Sequence, residues 1–171
     1  MIFVTGGTHE QPFDRLVKYV DELKRDGIIT EDVFIQTGYC TYKPRYCQWS
    51  KFVSYKEMIT KVEQARVVIT HGGPSSFIMP LQIGKTPIVV PRQQKYGEHI
   101  NDHQLEFVKL VDERMKTIIP VYDICRLKEA VLNHGDINKD KAEVVTSNNS
   151  RFNQALGKII DEILVRENGK S

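Results

Sequence analysis

The chain has 171 residues and no long hydrophobic run. Its apolar stretches reach only about five residues, whereas a helix that crosses a bilayer needs roughly 20. The amino terminus shows no signal-peptide pattern either, because no charged segment or long apolar segment precedes the strand-like residues that begin at Met1. We therefore expect a cytoplasmic protein, which another molecule or a surface patch would hold at any membrane.

Cysteine and excess charge are also scarce. The three cysteines, Cys40, Cys47 and Cys125, are odd in number and form no C-x-x-C pair, which argues against a disulfide framework and against a metal site. The 24 basic and 22 acidic residues give a net charge of +2, which does not support a nucleic-acid partner. Length and 40% hydrophobic content predict a single domain over residues 1–171.

The chain does show a regular alternation of strand-like and helix-like segments. Predicted strands are Ile2–Val4, Val33–Gln36, Lys51–Val53, Val67–Thr70, Ile88–Val90 and Thr117–Pro120. Predicted helices lie between Pro12 and Gly27, after a Ser54–Glu57 capping box, and over Asn101–Val111, Asp123–Leu132 and Phe152–Leu164, with a loop at 133–149. This order predicts an α/β fold, a Rossmann-like parallel sheet of about six strands with helices on both faces.

The first strand ends in a glycine turn, Thr5-Gly6-Gly7-Thr8. Glycines there permit a tight turn and a close approach of the backbone to a phosphate. The turn lacks the G-x-G-x-x-G fingerprint, which argues against an NAD-dependent oxidoreductase, and a plain strand-to-helix turn is the alternative. His9 follows as a candidate general base, or equally as a surface residue beside Glu10.

A second glycine turn, His71-Gly72-Gly73-Pro74-Ser75-Ser76, follows the strand at 67–70. Ser75 and Ser76 are expected to cap the next helix and to leave backbone N–H groups directed at an anion. The alternative is an ordinary capped turn with a structural histidine. The nearby Gly84-Lys85-Thr86-Pro87 resembles the end of a P-loop but enters a strand rather than a helix, so we reject an NTPase interpretation.

A polar loop, Arg92 to Gln104, follows the next strand. Its side chains suit sugar hydroxyls, although a solvated loop is the alternative; they include Glu98, Asn101, Asp102, His103 and Gln104. The loop and the His71 turn both leave the carboxyl ends of parallel strands, where open α/β sheets bind ligands. One ligand with a phosphate end and a sugar end would therefore fit both.

With these motifs the chain resembles the sugar-nucleotide-binding half of GT-B glycosyltransferases of the MurG type, glycosyltransferase family 28. The matching residues are the opening FVTGGT, the strand 67–70 with its His-Gly-Gly, the Gly84–Pro91 stretch and Asp102-His103-Gln104. The resemblance covers roughly residues 1–165. It is greatest to the single-domain catalytic subunits of split glycosyltransferases, which include the dolichol-pathway N-acetylglucosaminyltransferase subunit and bacterial capsule and exopolysaccharide subunits.

The resemblance implies a UDP-sugar donor, used as a substrate, with no cofactor. Gly6, Gly7 and Thr8 would lie near the diphosphate or the acceptor, His71–Ser76 would face the diphosphate, and Asn101–Gln104 would hold the donor sugar, with Arg92 nearby. Many family members bind the ribose through a Glu at the position where this chain has Met79. We therefore expect a different ribose contact, with Glu98 as the candidate.

The resemblance also implies an inverting, metal-independent hexosyltransferase that acts on a lipid-linked saccharide in cell-surface polysaccharide synthesis. GT-B active sites lie between two Rossmann-like domains, so a membrane-anchored partner subunit would supply the acceptor-side wall and recruit this chain to the inner face of the membrane. The final helix would contact that partner or pack on its own sheet. The rival interpretations are a non-catalytic donor-binding or enhancer subunit and a UDP-sugar epimerase.

Overall fold

Six parallel strands form one sheet in the order β3-β2-β1-β4-β5-β6. The structure is a computed structural model, and it describes residues 1–146, 154–159, 161–162 and 165. The strands are β1 Ile2–Thr5, β2 Val33–Gln36, β3 Gln48–Ser50, β4 Val67–His71, β5 Ile88–Val90 and β6 Ile119–Pro120. The predicted Rossmann-like sheet is confirmed. Strand order reverses between β1 and β4, which opens a crevice at their carboxyl ends.

The helices alternate with these strands as the sequence predicts. They are α1 Asp14–Arg25, α2 Tyr55–Gln64, α3 Pro74–Gln82, α4 His103–Met115, α5 Leu127–Leu132 and α6 His134–Thr146. The capping box of α2 is confirmed, because the Glu57 N–H donates to Ser54 Oγ (3.2 Å) and the Ser54 N–H donates to Glu57 Oε2 (3.3 Å). The predicted helix at 123–132 divides into a short 3-10 turn, Ile124–Arg126, and α5.

Hydrophobic side chains cover both faces of the sheet. On one face Ile2 and Val4 pack with Leu16 of α1, and on the other Phe3 packs with Val62 of α2. Successive strand residues point to opposite faces, so strands that are covered on both sides are apolar at every position. This packing fixes the carboxyl end of β1 between helices and directs its following turn into the crevice.

The end of the described chain packs on the same domain. Residues 154–159 are helical, within the predicted final helix, and Leu156 and Ile159 are buried against Phe77 and Val108. The other predicted apolar positions, Phe152, Ile160, Ile163 and Leu164, lie outside the described residues. For Leu156 and Ile159, packing on the domain's own sheet is the contact that the structure shows.

Two predicted elements were wrong. The edge strand β3 lies at Gln48–Ser50 rather than Lys51–Val53, because it is residues 48–50 that pair with Phe34–Gln36 of β2. The predicted loop at 133–149 is largely helix α6. Its sequence has only a weak apolar stripe, in which Ile137 packs against the core, and two polar bonds add to that contact: His134 Nε2 donates to the Thr86 carbonyl (2.9 Å), and Lys141 Nζ donates to the Ile118 carbonyl (2.6 Å).

Candidate functional site

The crevice between β1 and β4 is built around the ring of His71. Gly7 has a φ of +79°, and a Cβ there would lie 2.4 Å from His71 Nε2. A Cβ on Gly73 would lie 2.3 Å from His71 Cε1. Real Cβ atoms do not approach so closely, so both positions require glycine. The two glycine turns, predicted separately from the sequence, therefore hold one imidazole between them.

The hydrogen bonds of His71 fix it as a neutral ring. The Gly73 N–H lies closer to Nδ1 (2.9 Å) than the Gln104 Oε1 acceptor does (3.4 Å), so we assign the proton to Nε2, which then donates to Ser76 Oγ (2.5 Å). Burial, with a smaller contribution from Arg92, lowers the pKa of His71 to about 4. The ring is only 9% exposed. At neutral pH it can orient a hydroxyl but adds no positive charge.

The predicted capping role of Ser75 and Ser76 is wrong. Gly73 is the N-cap of α3 and Pro74 is its first residue, and no side chain caps this end. The Gly72, Gly73 and Ser76 N–H groups donate to Gln104, His71 and the Gly73 carbonyl, respectively. Pro74 has no N–H, so Ser75 supplies the candidate amide for an anion in this turn. The turn offers fewer backbone donors than the sequence suggested.

Gln104 joins the two strand ends that form the site. Its Oε1 accepts from the Gly72 N–H after β4 (3.1 Å) and from the Arg92 N–H after β5 (3.2 Å). The side chain reaches both because α4 begins at His103 and points its first turn back toward the sheet. Gln104 therefore lies in the crevice as predicted, and its carbonyl oxygen is already engaged by the protein.

Arg92 lies beneath the crevice, where its guanidinium connects three backbone carbonyls. Its Nη1 donates to the carbonyls of Gln11 (2.6 Å) and Glu98 (3.0 Å), and its Nη2 donates to the Gly6 carbonyl (2.6 Å). The side chain is only 1% exposed, and its guanidinium lies 4.9 Å from the centre of the Phe13 ring. These contacts tie the β5 loop to the first glycine turn.

Glu98 is also occupied by the protein. It forms a two-pronged ion pair with Arg15, through Nε to Oε1 (2.7 Å) and Nη2 to Oε2 (2.9 Å), and it accepts from the Gln93 N–H (3.1 Å). Its carboxylate is buried. The structure thus directs Arg92 and Glu98 into the protein rather than into the crevice, and a ribose contact through Glu98 gains no support.

Arg15 and Gln11 are the contributors that the sequence analysis missed. Arg15 lies in the first turn of α1, and Gln11 lies in the loop before it. The one sequence signal that could have identified them is their position, because polar residues just after a site-forming turn lie near the same sheet edge. Met79, in contrast, is half-buried and packs against the cluster around Phe3 and Val62.

The loop from Arg92 to Gln104 is shaped by its own side chains. Asp102 Oδ1 accepts from the Gln94 N–H (2.8 Å), and Asn101 Oδ1 accepts from the His103 N–H (3.1 Å). Asn101, Asp102 and His103 are half-buried. These bonds fold the loop over the start of α4 and bring its polar residues to the carboxyl end of β5.

His9 lies across the crevice mouth beside His99, with ring centres 4.7 Å apart. Burial, then His99 and Arg92, lower the pKa of His9, so the ring is neutral at neutral pH. The Gln11 N–H donates to Nδ1 (3.2 Å), which places the proton on Nε2. To accept a proton, the ring must give up that bond, because this tautomer presents an N–H outward.

The family model for the glycosyltransferase family 28 C-terminal domain matches residues 1–160. The chain belongs to this family. The match includes both glycine turns, the Arg92–Gln104 loop and the crevice between them.

Two solved glycosyltransferases share the fold of this family 28 domain. The glycotransferase of kitacinnamycin is 18% identical, with a TM-score of 0.60, over 98% of this chain and 42% of its own. The glycosyltransferase SnogD from Streptomyces nogalater is 14% identical, with a TM-score of 0.53, over 95% of this chain and 43% of its own. This chain therefore spans less than half the length of either structure. No curated protein sequence matches it significantly.

Within the part of the family 28 domain that the structure describes, no group of three or more His, Cys, Asp or Glu side chains could hold a metal ion. Across the same described residues, no helix is long and apolar enough to cross a bilayer. The chemical groups around the crevice are hydroxyls, amides, imidazoles, the Asp102 carboxylate and the amino-terminal end of α3.

Proposed function

We propose that this family 28 domain binds the UDP-sugar donor of a two-component, inverting hexosyltransferase and contributes its catalytic crevice. One observation carries the proposal: Gln104 links the turns that follow β4 and β5, beside the topological switch point between β1 and β4. That is the place where an α/β sheet receives a ligand. A ligand there meets the α3 turn on one side and the polar loop on the other.

The α3 side suits the diphosphate. The amino-terminal end of α3 carries the positive end of the helix dipole, and Ser75 and Ser76 lie in its first turn. Ser76 is oriented by the neutral His71 ring. Thr8, exposed beside Gly7, extends this polar wall. Developing negative charge on the UDP leaving group would be stabilised by these fixed dipoles instead of a metal ion.

The α4 side suits the donor sugar. Asn101, Asp102 and Gln104 lie at the start of α4, and their amide and carboxylate groups are of the kind that pairs well with hydroxyls. Arg92 and Glu98 support them from below, since Arg92 holds the loop and Glu98 holds the Gln93 amide. We assign these two residues a positioning role rather than the donor contact expected from the sequence.

The acceptor requires a second wall. The similar solved structures are more than twice as long as this chain. We infer that a membrane-anchored partner subunit faces the crevice, presents a lipid-linked saccharide and holds the complex at the inner face of the membrane. The pathway would be the synthesis of capsule or another exopolysaccharide.

A donor-binding subunit without catalytic groups is the second candidate. The tautomer of His9 favours it, because an imidazole whose Nδ1 accepts from Gln11 presents no lone pair to an acceptor hydroxyl. In the catalytic reading His9 takes the acceptor proton after that bond opens. Replacing His9 by Ala in the assembled complex separates the two: turnover falls by a factor of about 100 if His9 is the base.

Donor binding is tested directly by calorimetric titration of the chain with a panel of UDP-sugars and with UDP alone. We expect binding in the micromolar to millimolar range and a loss of about tenfold for Ser76→Ala, which removes one charge-assisted hydrogen bond. Ser50→Ala, in the edge strand, is the matched control. No binding of any UDP-sugar, by the chain or by its complex, would contradict the proposal.

A further inference from the structure

The segment from Tyr39 to Lys56, called the edge segment below, differs in composition from the rest of the chain. Its 18 residues hold six of the 15 aromatic side chains, four cations and no carboxylate. It therefore carries +4 in a chain whose net charge is +2, which leaves the remainder at −2. The four cations, Lys43, Arg45, Lys51 and Lys56, are all exposed.

The aromatic rings of this segment are exposed as well. Five of the six have more than a third of their surface exposed: Tyr39 44%, Tyr46 52%, Trp49 40%, Phe52 42% and Tyr55 74%. They surround the outermost strand β3 and the start of α2. Large rings at this exposure usually mark a surface that meets another phase or molecule.

Cations and rings are interleaved here rather than separate. The Lys51 Nζ lies 5.0 Å from the centre of the Tyr39 ring and 5.5 Å from that of Phe52, and these two rings pack edge to face at 5.4 Å. Amphipathic rings beside lysines match the boundary of an anionic bilayer. Tyr and Trp lie there at the headgroup level, and Lys and Arg pair with anionic lipid.

A basic groove continues this surface onto α1. It is lined by Tyr46, Lys43 and Arg45 of the edge segment and by Lys18 and Arg25 of α1, with Glu22 as its one carboxylate. The groove keeps its shape because Asp21, fully buried, accepts from the N–H groups of Arg45, Tyr46 and Cys47. Arg25 also pairs with Asp26 (2.7 Å), and the groove still keeps an excess of positive charge that suits a phosphate headgroup.

The edge segment also adjoins the crevice. The Gly38 N–H donates to the Lys51 carbonyl (2.8 Å), and a Cβ on Gly38 would lie 2.3 Å from the Gly7 carbonyl oxygen. Tyr39 therefore directly follows a residue, Gly38, that lies against the first glycine turn. A surface at this edge would place the crevice beside whatever the segment contacts.

We propose that the edge segment is a bilayer-docking surface, which binds anionic phospholipid directly and without the partner subunit. Single-stranded nucleic acid is the other ligand for interleaved rings and cations. It fits this chain less well, because a long polyanion would extend past the segment onto the rest of the chain, which carries a net charge of −2. The proposal concerns a surface outside the donor site and does not depend on it.

Trp49 provides the test, because it is the chain's single tryptophan and lies in β3. The full chain is titrated with vesicles of neutral phosphatidylcholine and with vesicles that contain about one-third phosphatidylglycerol. We expect a blue shift of tryptophan emission and co-sedimentation with the anionic vesicles, and neither with the neutral ones. Quenching by a single-stranded oligonucleotide, with no response to anionic vesicles, would overturn the proposal in favour of nucleic acid.

A charge variant and a matched control make the test specific. Combined Lys43→Gln, Lys51→Gln and Lys56→Gln changes should weaken vesicle binding about tenfold or more. Combined Lys109→Gln, Lys128→Gln and Lys139→Gln changes remove the same charge from exposed positions on α4, α5 and α6 and should leave binding unchanged. Equal loss in both, or no binding by the unaltered chain, overturns the proposal.

Discussion

The crevice between β1 and β4 and the edge segment around β3 adjoin each other, yet they use side chains in opposite ways. Around the crevice, His71, Arg92 and Glu98 are buried and bonded within the protein: Arg92 donates to the Gly6 carbonyl, and Glu98 pairs with Arg15. In the edge segment, rings and cations of comparable size stay exposed. The buried polar side chains around the crevice thus bind mainly to other parts of the protein, whereas the edge segment keeps its rings and cations available to an external surface.

The largest expected effect is at the contact that closes the crevice. Gly7→Ala places a Cβ against His71 and strains a residue whose φ is +79°, so we expect the free energy of unfolding to fall by about 4 kcal/mol. Urea denaturation measures the change. Gly84→Ala is the matched control, since its φ is +76° but nothing lies within 4 Å of the added atom.

The control should cost only about 1 kcal/mol, the strain of a left-handed backbone alone. Equal losses at the two glycines would mean that the ring of His71 moves aside freely. The crevice would then be no more rigid than the edge segment, and the comparison would fail.

The second effect is a pH dependence that the buried neutral imidazole of His71 contributes. His71 has a folded-state pKa of about 4, against 6.5 for the exposed group. Between these values the unfolded chain binds a proton that the folded chain does not, so stability falls as pH drops from 6.5 toward 4. The full loss is about 3 kcal/mol at pH 4 relative to pH 7.

The measurement is urea denaturation across that pH range for the unaltered chain and for His71→Asn. The difference between their slopes isolates His71 from His9 and His134, whose pKa values burial also lowers. Identical pH profiles would show that His71 titrates as an exposed group.

These two regions also differ in how far the sequence predicts them. Strand alternation placed both glycine turns at one sheet edge, and Asp102-His103-Gln104 was correctly expected at the start of a helix. The ion pair between Arg15 and Glu98 was not predictable, because the two residues are separated by 83 positions and no local pattern pairs them. Fold-level rules bring strand ends together but do not say which buried charges will meet there.

The predictions for the segments that form helix α6 and strand β3 were wrong for related reasons. Residues 133–149 carry little apolar periodicity, and α6 is held by His134 and Lys141, whose carbonyl partners come from other elements. Strand β3 is short and exposed, so no alternation of buried residues marks its register. Local patterns predict elements that bury a hydrophobic face, and they miss elements that long-range polar contacts hold.

The third effect concerns the link between the two sides of the crevice. Gln104→Leu removes the oxygen that accepts from Gly72 and Arg92, and two backbone N–H groups lose their partner. We expect a loss of about 2 kcal/mol of stability and about a tenfold weaker UDP-sugar affinity. Thermal unfolding and calorimetry measure the two quantities.

Gln82→Leu, at an exposed position at the end of α3, is the control and should change neither quantity. Loss of stability without loss of donor affinity would make Gln104 a structural link only. The donor would then have to lie elsewhere on the sheet edge.

The smallest expected effect lies in the edge segment itself. Tyr39 and Phe52 pack edge to face at 5.4 Å, but both are more than 40% exposed. A double-mutant cycle with Tyr39→Ala and Phe52→Ala should therefore give a coupling energy below about 1 kcal/mol. A coupling above about 2 kcal/mol would show that the pair is needed for folding. The rings would then contribute to folding, and their exposure would no longer argue for an external surface. A small coupling energy together with weaker vesicle binding would show that the two rings serve docking rather than stability.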